Sequence, residues 1–158
     1  MKSRELLFLI VIAGIVMLGS CKKKSDDPVN PVGSNGAITL KVDGTTWNAS
    51  LSVQAVNSNG VINVTGSDSN ANQAGVTLYG VTAPGTYQVG PPNAGNMLRW
   101  TEGLGQTDTY QASGVIGTGT VTVTELSSSK VKGTFSFTGY NTDQTSKQIT
   151  EGTFEANF

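Results

Sequence analysis

The chain has 158 residues, 37% of them apolar and 13% charged, with one cysteine and no histidine. Without histidine or a second thiol, Ser-His-Asp and Cys-His catalysis, His-based metalloprotease sites and the usual Cys and His zinc sites are excluded, and no cofactor is expected. From residue 37 onward Lys41, Arg99, Lys130, Lys132 and Lys147 face eight carboxylates, a balance near −3 that lacks the basic patch nucleic-acid binding requires.

Met1 to Glu5 carries Lys2 and Arg4, and Leu6 to Leu18 then runs without a polar side chain to Gly19, Ser20 and Cys21. A charged start, an apolar run and a small-residue exit make an export signal. A helix of about 13 apolar residues spans about 20 Å, short of the ~30 Å hydrocarbon core, so cleavage is expected rather than a permanent span. Leu18-Gly19-Ser20-Cys21 resembles the lipobox of bacterial lipoproteins. That resemblance implies a signal peptide over 1–20, cleavage between Ser20 and Cys21, and acylation of Cys21 as the first mature residue. Two or more acyl chains, each buried CH₂ contributing about 0.8 kcal/mol, suffice as an anchor.

Lys22 to Lys24 and then Ser25-Asp26-Asp27 resemble the export tag behind the lipidated cysteine of surface lipoproteins in the Bacteroidota. The tag implies an outer-membrane location with display on the cell surface; the alternative is a solvated spacer kept extended by its charges. Pro28, Pro31, Gly33, Ser34, Asn35 and Gly36 then complete a disordered tether over 21–36. Residues 37–158 remain for one domain of ordinary size.

That domain is rich in Gly, Thr, Ser, Asn and Val, a composition for short strands and tight turns. Ile38, Leu40 and Val42 alternate toward an Asp43-Gly44 hairpin turn, after which Trp47, Ala49, Leu51, Val53 and Ala55 are predicted to share a face. The same period of two carries Ile62 and Val64, Val76 and Leu78, Tyr87 and Val89, Leu98 and Trp100, and Tyr110 and Ala112. Val121 and Val123, then Val131, Phe135 and Phe137, then Phe154, Ala156 and Phe158 give three longer strands whose other face is Thr, Ser, Lys and Glu. About nine or ten strands at this spacing predict an all-β fold: an antiparallel β-sandwich, with a lipocalin-like β-barrel as the alternative.

The words Gly133-Thr134-Phe135 and Gly152-Thr153-Phe154 predict two neighbouring strands, each with a glycine for close approach and a phenylalanine for the core. Together with "KVDGTTW" and "APGTYQVG" they resemble a family of small all-β lipoprotein domains of unknown function from the same phylum. The resemblance implies a fold and no activity.

Three motif fragments are better explained by turns. Ser127-Ser128-Ser129-Lys130 satisfies S-x-x-K but falls between strands, where the penicilloyl-serine enzymes require a helix start. Asp68, Asn70 and Asn72 have the spacing of a calcium loop, yet Gln73 and Tyr79 stand where it needs glycine and glutamate. Gly114, Gly117 and Gly119 lack the order of a dinucleotide loop.

The domain is expected to be a non-catalytic binding or structural module, with a carbohydrate-binding accessory protein or a barrel carrying a small ligand as the alternatives, and no enzymatic activity is expected. Around "RWTEGLGQTD" the candidate ligand-binding residues are Arg99, Trp100, Glu102 and Asp108: an aromatic face for a sugar, with charged groups for its hydroxyls. Strand alternation instead puts Trp100 with Leu98 in the core and Arg99 in solvent. Glu102 and Asp108 are also the pair a carboxylate glycosidase would use, the least favoured reading. The expected partners are the membrane, through the lipid, and a glycan or envelope protein.

Overall fold

The computed structural model describes residues 35–105 and 107–158. Cys21, the signal segment and the charged tag lie outside the described residues. Eleven strands follow in chain order: β1 (Gly36–Val42), β2 (Thr45–Asn48), β3 (Ser52–Ser58), β4 (Val61–Ser67), β5 (Gln73–Tyr79), β6 (Gly85–Val89), β7 (Met97–Thr101), β8 (Thr109–Ala112), β9 (Thr118–Leu126), β10 (Lys130–Tyr140) and β11 (Ser146–Asn157). The described residues contain no helix. Asp43-Gly44 and Asn59-Gly60 have positive φ at both positions and close two-residue hairpins, β1 to β2 and β3 to β4.

The strands pair antiparallel in the order β2-β1-β11-β10-β8-β7-β5-β4-β3, with β9 also on β10 and β6 on β9. The all-β antiparallel expectation holds, but the layering is a single sheet curled into a half-barrel, not two stacked sheets. Bulges favour such a bend, and β9 and β11 both carry one. Around Thr150-Glu151 the β11 register shifts against both β1 and β10, and Glu151 takes φ 50°. An extra residue in one strand sharpens twist and bends the sheet. Asn35 ties the curl together, donating its N–H to Val53 O and accepting from Asn157 N–H, which links β3 to β11.

The core fills the inner face. Gly133 on β10 stands opposite Phe154 on β11, and Phe135 stands opposite Gly152, so each ring lies beside the other strand's glycine. The three rings of Phe135, Phe137 and Phe154 form one run, with centroids 6.5 and 6.2 Å apart. One sequence expectation fails nearby. Trp47 and Val53 do not belong to one strand, because the chain turns a corner at 49–51 from pairing with β1 to pairing with β4, through Ala49 N–H to Ile38 O and Leu51 N–H to Ser67 O. Leu51 sits on that corner and is exposed.

The outer face is a hydroxyl array. Thr86, Thr122, Thr134, Thr153 and Thr39 lie in one cross-strand row over β6, β9, β10, β11 and β1. The Thr39 and Thr153 hydroxyls bond each other at 2.8 Å. Such pairs contribute roughly 0.2–1 kcal/mol each.

Candidate functional site

The four sequence candidates do not share one surface. Trp100 on β7 points inward and is 3% exposed, its ring packed edge-on against Trp47 at 4.9 Å. It is therefore a core residue and offers no face to a sugar, as its alternation with Arg99 dictates. Arg99, one position earlier, faces out over Gly75, and its Nη2 donates to Gln73 at 3.3 Å. Glu102 accepts from Trp100 Nε1 at 3.0 Å and pairs with Lys147 at 3.3 Å. The Asp108 carboxylate caps its own loop by accepting from the Gly105 N–H at 2.7 Å. With Glu102 turned to Trp100 and Lys147, and Asp108 to the backbone, the two carboxylates answer different partners.

A charged cluster lies beside Trp100. Lys147 bridges Glu102 to Asp43 at 3.2 Å and lies 5.8 Å from the centre of the Tyr110 ring. Burial pushes the Lys147 pKa down, but Asp43 and Glu102 outweigh it and leave it raised. The Gln148 N–H, aided by Lys147, holds Asp43 below the ordinary carboxylate range against the effect of burial. On the opposite side Trp47 Nε1 donates to Asp68 at 2.7 Å.

Asp68 resolves the calcium-loop question. Its Oδ1 accepts from the N–H groups of Asn70 and Asn72, and its Oδ2 from Trp47 Nε1 and Asn72 Nδ2. Both oxygens serve protein donors, so the loop is a polar turn that anchors Trp47. Burial raises the Asp68 pKa, but these hydrogen bonds prevail and the net shift is downward. A depressed carboxylate contributes stability above its unfolded value, near 3.9, and that contribution is lost as pH falls through the lower folded value. Asp68→Asn should cost about 1.5–3 kcal/mol at neutral pH and flatten the acid limb. Urea titrations from neutral pH down to about pH 2 test this; an unchanged acid limb would contradict it.

An open concavity lies elsewhere. A groove of about 390 Å³ runs over the outer face of β9, β10 and β11, walled by the turn at 90–93. Two cross-strand rows make its floor: Gln88, Thr120 and Ser136, then Thr118, Thr138 and Gln148, with Thr150 beside them. Thr120 Oγ1 donates to Gln88 Oε1 at 3.2 Å. Among the described residues, the hydroxyls of Thr118, Ser136, Thr138 and Thr150 and the Gln148 amide make no hydrogen bond. Alternation marks these residues as an outward strand face, but it does not show where a bulge and a turn make that face concave.

The remaining motif fragments are structural as expected. Ser127 to Lys130 is the β9–β10 turn, closed by Ser127 N–H to Lys130 O, with Lys130 ion-paired to Glu155. Lys130 and then Lys132 hold the Glu155 pKa low. Gly117 has φ 69° and packs against the backbone of Gln111 and Thr138, where no Cβ would fit. No group of three acidic or thiol side chains among the described residues converges as metal ligands.

A family model for a domain of unknown function, DUF6252, matches residues 34–156. The chain belongs to the DUF6252 family. No curated protein and no solved structure matches it. The DUF6252 match begins inside the segment assigned to the tether and covers all eleven strands up to the last residues of β11.

Proposed function

We propose that this DUF6252 protein is a lipid-anchored protein of the bacterial outer membrane whose β domain is a non-catalytic binding module. The observation that carries the reading is Leu18-Gly19-Ser20-Cys21 behind a charged and apolar leader, a pattern whose lone cysteine has a role without needing a histidine or second thiol. The fold supports it: strand β1 begins at Gly36, a short tether from Cys21, so an acylated amino terminus would hold the half-barrel on the order of 20 Å from the bilayer. Ser25-Asp26-Asp27 favours the cell-surface side. The outer-face groove, with its free hydroxyls and amide, supports binding as the activity of the domain.

The reading is tested by growing cells with radiolabelled palmitate. Label should enter the wild-type chain and be absent from Cys21→Ala, which should leave the membrane fraction. Label that persists in Cys21→Ala, or none in the wild type, would overturn the anchor. Protease added to intact cells should then degrade the domain, and full protection would place it on the periplasmic side.

A further inference from the structure

We infer that the outer-face groove is a binding site for an uncharged oligosaccharide, held by Thr118, Thr120, Ser136, Thr138, Gln148 and Thr150. This rests on the binding-module reading above and gives it a place and a ligand class.

The chemistry of the lining sets the class. The groove carries no Lys, Arg, Asp or Glu side chain. A phosphate, a carboxylate or a cation would therefore lose its hydration without meeting a counter-charge. Each hydroxyl is both donor and acceptor, and a glutamine amide offers both functions on separate atoms. A polyol has the same double character at every hydroxyl, so it can be matched without leaving unpaired donors. Adjacent positions across the sheet are ~4.8 Å apart and successive outward positions on a strand about 7 Å, so the floor presents a grid of hydroxyl and amide groups to a ring with hydroxyls on several sides.

A peptide fits less well. The floor is the face of a paired sheet, whose backbone groups are taken by the β6–β9, β9–β10 and β10–β11 ladders. Strand addition, which needs a free edge, is not available there. Protein hot spots also call for aromatic or Arg anchors in desolvated pockets; the lining has no Arg, and its one aromatic residue, Phe137, is buried in the core against Phe135. The volume suits a small ligand, at the lower end of the ~300–1,000 Å³ of small-molecule sites. Pro91 on the rim gives an apolar wall for the carbon face of a sugar. Tyr140, 36% exposed, lies outside the groove, two residues beyond Thr138 on the same face of β10.

The test uses the mature full-length chain in detergent micelles and a panel of neutral hexasaccharides (cello-, malto-, xylo- and mannohexaose and chitohexaose), with polygalacturonate as the charged comparison. Calorimetry should find binding to at least one neutral member. The double variant T138V/T150V, which keeps side-chain shape and removes two hydroxyls, should weaken it about 10- to 30-fold. Arg99→Ala, away from the groove, should leave it unchanged, and circular dichroism should show all variants folded. No binding to any neutral member, or binding that T138V/T150V leaves intact, overturns the site. Loss only in Arg99→Ala likewise overturns the site, and binding of polygalacturonate alone overturns the ligand class. Because calorimetry reads the groove and not the attachment at Cys21, its failure is separate from failure of palmitate labelling.

Discussion

Trp100→Ala is expected to lower the unfolding free energy by about 3–5 kcal/mol, the usual range for truncating a buried large aromatic. Its ring is buried, meets Trp47 edge-on and donates to Glu102, so the variant opens a cavity and leaves the Glu102–Lys147 pair without its indole donor. Trp47→Ala should cost somewhat less, since Trp47 is only partly buried, but it also strips the charge-assisted bond from Asp68. A double-mutant cycle should give a coupling of about 0.5–1.5 kcal/mol between the two rings. Urea denaturation of the four proteins supplies the numbers. A fully stable Trp100→Ala protein would mean that the indole is a surface platform and not a core residue.

The second large effect is expected at the paired glycines. Gly152→Val should destabilise by about 3 kcal/mol or more, at the upper end for overpacking. A Cβ there would lie 2.6 Å from Phe135 O and 2.8 Å from its ring carbons. The ring could turn aside, but the carbonyl belongs to the β10–β11 ladder and is not free to move. Phe135→Leu added to Gly152→Val should therefore fail to restore stability. Gly133→Val repeats the case in mirror form, against Thr122 O and the Phe154 ring. The two Gly-Thr-Phe words are thus a reciprocal device. Glycine admits the ring opposite, and the intervening Thr134 and Thr153 face each other on the outside. Recovery of stability in the Phe135→Leu background would show that ring crowding, not the backbone, sets the requirement.

Much of this architecture is legible in the linear chain. Antiparallel strands, the Asp43-Gly44 hairpin, the inward run of Val121, Val131, Phe135 and Phe154, and the neighbouring Gly-Thr-Phe strands all follow from a period of two and from turn chemistry, which are local properties. Trp100 and Arg99 are separated onto opposite faces by the same rule, so the alternation already weighed against a shared stacking site. A period of two does not reveal what a single residue can change. A corner at 49–51 splits an expected strand, and an extra residue at Thr150-Glu151 favours a bend in the sheet.

By itself, then, the sequence determines the strand content, the inner and outer sets of side chains, the lack of histidine and of a second cysteine, and the place of Cys21 directly behind an apolar run, because each is read from residues close together in the chain. Only the tertiary structure decides that a single sheet curls instead of two sheets stacking, that Lys147 reaches both Asp43 and Glu102, and that Thr118, Ser136, Gln148 and Pro91 border one groove. These depend on which strands become neighbours and how sharply they bend. Pairing partners are fixed by packing and by bulges summed over the whole sheet, a balance of long-range contacts that no short stretch of sequence contains.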